Sequence, residues 1–177
     1  MSELMGDPFG NYLTQKLLEK CTDSQLEHVI VNIEHAIFRL CKEMHGTRSI
    51  QRLIDVATVR QQHHRQLIAK FLKPKIVELS REINGNHVLV KILQSWPHED
   101  KQFIYEILKL KCQLISCHKH GCCLMQKGID AANSVQKEML TMTVAGHTRL
   151  FVRDPFANYV IQYVLGLKMS HVCREVG

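Results

Sequence analysis

The apolar positions of the chain follow helical spacing in short stretches that polar residues separate. Leu13, Leu17 and Leu18 are spaced at i, i+4 and i+5, which is typical of one face of an amphipathic helix. The polar residues 22–24 (Thr-Asp-Ser) then predict the start of a second helix, and residues 36–41 predict a third, shorter one. No stretch of useful length alternates between apolar and polar residues, as a half-buried strand would. The pattern predicts an all-α protein.

This helical pattern repeats along nearly the whole chain. Five eight-residue segments align without gaps, and their third residues, at positions 11, 47, 86, 122 and 158, are 36, 39, 36 and 36 residues apart. The segments are FGNYLTQK (9–16), HGTRSIQR (45–52), NGNHVLVK (84–91), HGCCLMQK (120–127) and FANYVIQY (156–163). Each belongs to a unit of about three helices, and stacked units of this kind form an α-solenoid. The aligned helices are predicted near residues 10–20, 46–57, 85–95, 121–131 and 157–167.

Three positions of each segment carry side chains that suit single-stranded bases. The third, fourth and seventh residues lie on one turn of helix, so stacked repeats would align them along one surface. The fourth residue is flat or cationic in four segments, and such side chains stack on bases. The seventh is glutamine in four segments, and an amide matches the paired donor and acceptor of a base edge. The alternative is that these residues only link helices or form a protein-binding surface.

The motifs Asn-Tyr-x-x-Gln, Thr-Arg-x-x-Gln, Asn-His and Cys-x-x-x-Gln follow one another in an order that resembles the PUF (Pumilio) family of RNA-binding proteins. The resemblance covers residues 7–165. It implies a right-handed curved α-solenoid of five three-helix repeats, whose second helices line a concave RNA-binding face. It implies that residues 1–177 form a single partial array, equivalent to repeats two to six of the usual eight, and hence a fragment or a truncated relative. It also implies that the N-terminal repeat meets the 3′ end of the RNA.

The resemblance assigns one base to each repeat. In the family, asparagine with glutamine selects uracil, and cysteine, serine or threonine with glutamine selects adenine, which gives 5′-UANAU-3′ here. This string is the interior of the family's usual UGUANAUA site. The residues implied at base edges are Asn11, Gln15, Thr47, Gln51, Asn86, Cys122, Gln126, Asn158 and Gln162. The residues implied to stack on bases are Tyr12, Arg48, His87, Cys123 and Tyr159.

Two positions depart from the family pattern. Val90 stands where glutamine is expected and cannot bond a base edge, so the middle base should be held only by stacking on His87. Cys123 replaces the usual arginine and offers little stacking area. The family's guanine-reading helix, Ser-Asn-x-x-Glu, would fall about one 36-residue period after Asn158, beyond the last residue, and residues 168–171 are expected to leave the last helix.

Two sets of polar residues lie outside these three positions. Lys16, Arg52, Lys91 and Lys127 each follow the seventh position and form either a solvated helix edge or a row of phosphate contacts. Residues 60–65, in the longer 39-residue interval, predict an exposed helix face.

Composition adds limits rather than a function. The chain has a net charge of +6 and a pI near 9.0, which suits a polyanionic partner but also many cytosolic enzymes. A mean hydropathy of −0.13 and short apolar runs exclude a transmembrane protein, and the first residues lack the features of a signal peptide. Seven cysteines, an odd number, predict reduced thiols and a cytoplasmic protein.

A crowded group of cysteines and histidines invites a second interpretation. Its members are Cys112, Cys117, His118, His120, Cys122 and Cys123. They lack the paired spacing of a zinc site, and Cys122 with His120 lacks a third orienting group, so neither zinc nor a nucleophile is expected. The repeated positions predict a sequence-selective RNA-binding module. The family resemblance implies that it acts on mRNA 3′ untranslated regions with repressor or deadenylation proteins as partners. No catalysis, cofactor, metal, membrane or small-molecule substrate is expected; the alternative is a protein-binding α-solenoid.

Overall fold

The computed structural model describes residues 1–167 and shows five successive helical repeats in this range. The first repeat contains α1 (Ser2–Gly6), α2 (Gly10–Lys20) and α3 (Asp23–Asn32), and the second contains α4 (Ile37–Lys42), α5 (Gly46–Thr58) and α6 (Gln62–Leu72). A 3-10 turn (Lys73–Lys75) leads into the third repeat, α7 (Ile76–Arg81), α8 (Ile83–Ser95) and α9 (Gln102–Leu110). The fourth contains α10 (Cys112–Ser116), α11 (Gly121–Asp130) and α12 (Ser134–Ala145), and the fifth α13 (Thr148–Phe151) and α14 (Ala157–Gly166). The predicted all-α solenoid is confirmed; the expected helix exit at residues 168–171 lies outside the described residues.

Equivalent helices of neighbouring repeats stack on one another. The second helices form a continuous row in which α2 contacts α5, α5 contacts α8, α8 contacts α11 and α11 contacts α14. Their sixth segment positions are buried throughout, at Thr14, Ile50, Leu89, Met125 and Ile161. The five repeats therefore share one elongated core.

Exposure at the two ends of the row shows which positions join the repeats. Leu53 and Ile92, at the ninth position, are fully buried, whereas Leu17 at the same position of α2 is 42% exposed. Leu93, at the tenth position, is fully buried, whereas Leu165 of α14 is 37% exposed. α2 and α14 are the first and last helices of the described row, so each has a neighbour on one side only. The ninth position thus packs toward the preceding repeat and the tenth toward the following one.

The small second residue of each segment has a steric cause. A Cβ atom on Gly46 would lie 2.6 Å from the carbonyl oxygen of Leu40, and one on Gly85 would lie 2.8 Å from that of Leu79. The first helix of the repeat therefore touches the backbone of the second where the second begins. Only a small side chain allows this approach, which fixes the angle at which each second helix enters the row.

The predicted exposed face at residues 60–65 is wrong for two of its members. His64 and Arg65 are buried, with 1% and 8% of their surface exposed. Arg65 donates from Nε to Oδ2 of Asp100 in the next repeat over 2.6 Å, and from Nη1 to the carbonyls of Ala57 and Thr58 at the end of α5. The cluster consequently ties the second and third repeats together instead of facing solvent.

Lys101 has a similar position in the third repeat. Its Nζ donates to the carbonyl of Leu93 near the end of α8 over 2.6 Å, and burial lowers the pKa of the ammonium group. Cationic side chains therefore bind carbonyl groups near the C-terminal ends of two successive second helices.

We predict that Arg65→Met lowers the free energy of unfolding by about 3 kcal/mol, because it leaves Asp100 buried without its cation. Urea unfolding followed by circular dichroism measures this effect. Arg39→Met is the matched control, because the Arg39–Glu43 pair is exposed, at 55% and 36% of the side-chain surfaces, and should contribute less than about 1 kcal/mol. Equal effects of the two substitutions would show that the Arg65–Asp100 pair is not a structural tie.

Candidate nucleic-acid interface

The fourth positions of the five segments form an exposed line along the second-helix row. Tyr12 and Tyr159, at the two ends of this line, are each 58% exposed. The fourth-position residues Arg48, His87 and Cys123 between them are exposed too. Nη1 of Arg48 lies 3.3 Å from the hydroxyl oxygen of Tyr12, to which it donates across the repeat boundary. The structure therefore brings the five residues that were predicted to stack, Tyr12, Arg48, His87, Cys123 and Tyr159, to one surface.

The seventh-position glutamines are oriented by the third residue of the same segment. Nε2 of Gln15 donates to Oδ1 of Asn11 over 3.0 Å, and Nε2 of Gln162 donates to Oδ1 of Asn158 over 2.9 Å. Gln51 makes the corresponding bond to the hydroxyl oxygen of Thr47 over 3.3 Å. In each case one N–H is used, and Oε1 with the second N–H remains available as an acceptor and donor pair.

The third residues themselves are bonded to the backbone. Nδ2 of Asn11 donates to the carbonyls of Asp7 and Pro8, and Nδ2 of Asn158 donates to that of Asp154. Asn11, Thr47, Asn86 and Cys122 are all at most 9% exposed. In the first, second and fifth repeats the third residue thus supports the glutamine, a role that the sequence analysis did not foresee.

Two of these third residues also join consecutive repeats. Thr47 donates from its hydroxyl to the carbonyl of Asn84, and Asn86 donates from Nδ2 to the carbonyl of His120. Both carbonyls belong to the first segment position of the following repeat. Asn86 donates additionally to the carbonyl of Ser80, so its amide nitrogen is fully occupied within the protein.

The fourth repeat departs from this arrangement. The thiol of Cys122 donates to the carbonyl of Lys119, and Gln126 makes no side-chain hydrogen bond within residues 1–167. Burial raises the pKa of the Cys122 thiol to about 11, so this thiol is protonated at neutral pH. The amide of Gln126 is therefore less firmly oriented than those of Gln15, Gln51 and Gln162.

The four cations at the eighth position are paired with acids at the eleventh position. For Lys16, Arg52 and Lys127 this acid lies three residues further on, and for Lys91 it belongs to the preceding repeat. Glu19 lies 3.4 Å from Lys16 and 3.5 Å from Arg52 of the next repeat, and Asp55 lies 2.6 Å from Lys91 of the repeat after that. Lys127 pairs with Asp130 at 3.7 Å. The sequence analysis identified the cations but missed these acids, whose i, i+3 spacing was visible in the sequence.

The last repeat has a tyrosine in place of the cation. The hydroxyl of Tyr163 donates to Oδ1 of Asp130, again across a repeat boundary. Burial, together with this carboxylate, raises the pKa of Tyr163 to about 12. The eighth and eleventh positions therefore form a second line of contacts between repeats, parallel to the line of fourth positions.

The crowded cysteines and histidines do not form a metal site in the described part of the chain. Within residues 1–167 no group of three or more His, Cys, Asp or Glu side chains is arranged to hold a metal ion. Nδ1 of His118 accepts from the backbone N–H of His120, and burial raises the pKa of the Cys112 thiol to about 11.

Residues 1–167 contain no helix of sufficient length and hydropathy to cross a bilayer.

Comparison with known proteins gives one consistent family. The sequence model described as the Pumilio-family RNA binding repeat matches residues 1–34, 36–64, 75–108, 111–142 and 150–166. Each of these five segments contains one helix of the second-helix row. The chain is 38% identical over 169 residues to the putative pumilio homolog 8, chloroplastic, of Arabidopsis thaliana, and 36% identical over 179 residues to Pumilio homolog 12 of the same plant. These alignments cover 94% and 99% of the chain, but only 32% and 30% of the relatives.

Solved structures agree with the sequence matches. The Puf4 RNA-binding domain bound to the HO endonuclease RNA 3′ UTR recognition sequence aligns with a TM-score of 0.88 and 35% identity, over 96% of this chain and 52% of that domain. The RNA-binding domain of yeast Puf5p bound to MFA2 RNA aligns with a TM-score of 0.86 and 31% identity, over 98% and 49%. The chain thus spans about half the length of these domains.

Proposed function

The chain belongs to the Pumilio family of RNA-binding repeat proteins, and from this premise we propose that it binds single-stranded RNA through its second-helix row. One base would lie against each repeat, between the fourth-position side chains of neighbouring repeats. The observation that carries the proposal is the line of five exposed fourth positions beside glutamines whose amides are already oriented. Because these amides are already oriented, less side-chain entropy is lost when a base binds.

The size of the third residue supports the assignment of uracil and adenine. The available acceptor and donor of each glutamine match the Watson–Crick edge of either base. Thr47 and Cys122 are smaller than asparagine, which leaves more room for a purine beside Gln51 and Gln126. Asn11 and Asn158 fill this space, which favours the smaller pyrimidine. We therefore propose 5′-UANAU-3′ as the preferred sequence, with the third residues setting the space for the base beside each glutamine.

The third repeat supports loose selection of the middle base. Val90 has no polar group, and the amide nitrogen of Asn86 is occupied by the carbonyls of Ser80 and His120. Stacking on His87 is then the remaining contact, and stacking accepts every base. This accounts for the N of the proposed sequence.

The wider role is proposed from the relatives. Puf4 and yeast Puf5p are solved in complex with RNA, for Puf4 a 3′ UTR recognition sequence. By analogy this chain would act in the cytoplasm on mRNA 3′ untranslated regions, and would repress or destabilise messages through repressor or deadenylation proteins. Residues 1–177 would form one partial repeat array without catalytic activity, metal or cofactor. The rival function is a protein-binding α-solenoid that has no preference among RNAs.

We predict that RNA containing UANAU binds about fivefold more tightly than either adenine-to-cytosine variant, since each change removes about 1 kcal/mol of hydrogen bonding. Variation of the middle base should alter the dissociation constant less than about twofold, because stacking alone holds it. Fluorescence anisotropy with labelled RNAs of equal length measures these constants. Equal binding of all these RNAs, or of duplex DNA, would favour the protein-binding solenoid instead.

The eighth-position cations differ in their availability to phosphate. Lys91 is 31% exposed and lies 2.6 Å from Asp55, whereas Lys127 is 54% exposed and lies 3.7 Å from Asp130. Asp130 is shared with the hydroxyl of Tyr163, and the preceding repeat has Gln94 where the first two repeats have an acid. We propose that Lys127 contributes more to phosphate binding than Lys91 does.

The salt dependence of RNA binding tests this difference. Lys127→Met should reduce the slope of log K against log salt concentration by about 0.7, the value for one phosphate contact on a single strand. Lys91→Met, the matched control, should reduce it by less, because Asp55 already neutralises this cation. An unchanged slope for Lys127→Met would mean that Lys127 contacts no phosphate.

A further inference from the structure

The segments that connect one repeat to the next are equivalent in position but not in chemistry. They comprise residues 34–36, 73–75, 109–111 and 145–147, where a third helix ends and the chain passes to the following first helix; residues 109, 110 and 145 still belong to the third helix. The residue before each is a fully buried aliphatic side chain: Ile33, Leu72, Leu108 and Val144. These buried residues supply the apolar contact that each connection makes with the core. The three residues that follow them can therefore differ in chemistry from one connection to the next.

The connection at residues 109–111 exposes an unusual amount of apolar surface. Leu110 is 70% exposed, and the aligned positions in the other connections hold His35, Pro74 and Gly146. Leu114, one turn into α10, is 48% exposed. The two leucines line a surface cavity of about 360 Å³ together with Lys109, Lys111, Cys112, Gln113 and His147. We call this surface the corner patch.

The cations of the corner patch lack acidic partners in the described part of the chain. At the preceding connection, Lys73 pairs with Glu106 at 3.0 Å and Lys75 pairs with Glu78 at 3.1 Å. Lys109 and Lys111 stand at the same two positions, yet neither forms an ion pair within residues 1–167, and no acidic residue lines the cavity. The corner patch therefore has net positive charge around exposed leucines.

The remaining wall of the cavity is held in place. Nδ1 of His147 lies 2.8 Å from the carbonyl oxygen of Thr143, and its ring stacks on that of Phe151 with 5.2 Å between the centroids. The cavity is thus bounded by a fixed ring on one side and by the flexible stems of two lysines on the other. Apolar side chains of a ligand could contact Leu110 and Leu114 while its charged groups meet the lysines.

We propose that the corner patch binds an acidic peptide segment of a partner protein, with a leucine-type side chain of that segment in the cavity. The two exposed leucines match an apolar group, and the two lysines, which have no ion pair within residues 1–167, match carboxylates on either side of it. An RNA backbone would satisfy the lysines but would leave the leucines in water. The patch also belongs to α9, α10 and their connection, not to the second helices that carry the proposed base contacts.

Binding of a fluorescent synthetic peptide of alternating glutamate and leucine to the whole chain tests this proposal. Anisotropy should show saturable binding of this peptide, and no binding of a lysine–leucine or a glutamate–serine peptide of the same length. Lys109→Glu with Lys111→Glu should weaken binding at least tenfold, and Leu110→Ser with Leu114→Ser should do the same. The matched control, Lys73→Glu with Lys75→Glu at the preceding connection, should change it less than twofold.

Parallel measurements separate this surface from RNA binding and from misfolding. Each variant should keep the urea midpoint of the parent chain, and UANAU-containing RNA should neither displace the peptide nor lose affinity in the Lys109/Lys111 variant. Peptide binding that survives both double substitutions would overturn the proposal. Displacement of the peptide by RNA would overturn it too, since the patch would then be a phosphate site.

Discussion

Contact between neighbouring second helices is the constraint on which the rest of the structure depends. A single repeat has too few helices to enclose its apolar face, so residues such as Leu53 and Ile92 are buried only because the preceding helix in the row covers them. Gly46 and Gly85 allow the first helix of the repeat to touch the second, which sets the entry angle of each helix. The regular spacing of exposed side chains follows from this packing, and that spacing makes a one-base-per-repeat surface geometrically possible.

The third segment position shows that packing and proposed recognition share residues. Thr47 joins its repeat to the next through the carbonyl of Asn84 and at the same time accepts from the amide of Gln51. Asn86 makes the same kind of connection to His120 but has no glutamine to orient, because Val90 occupies that position. The loss of base selection that we propose for the third repeat is therefore compatible with full retention of its structural contacts.

The periodic features of the fold could be predicted from the sequence. The contacts that depend on pairs of residues far apart in the chain could not. A near-constant period with helical spacing places the second helices within two residues of their observed bounds, because each apolar residue indicates a buried position without reference to any partner. The burial of Arg65 could not be predicted in this way, since it depends on Asp100, 35 residues away. The backbone bonds of Asn11 and Thr47 were missed for a related reason: a polar side chain in a sequence pattern does not disclose whether its partner is a base or a carbonyl.

The most direct test of the central claim, that each repeat selects one base through its seventh residue, is the base preference of Gln51→Glu. A carboxylate has no N–H to donate and two oxygens that accept, which suits the donor groups on the edge of guanine. Affinities for RNAs that carry each of the four bases in turn at every position of UANAU should show adenine replaced by guanine only at the fourth base. The preferences at the other positions should be unchanged. A uniform loss of affinity at all positions would contradict the account, because Gln51 would then be a structural residue.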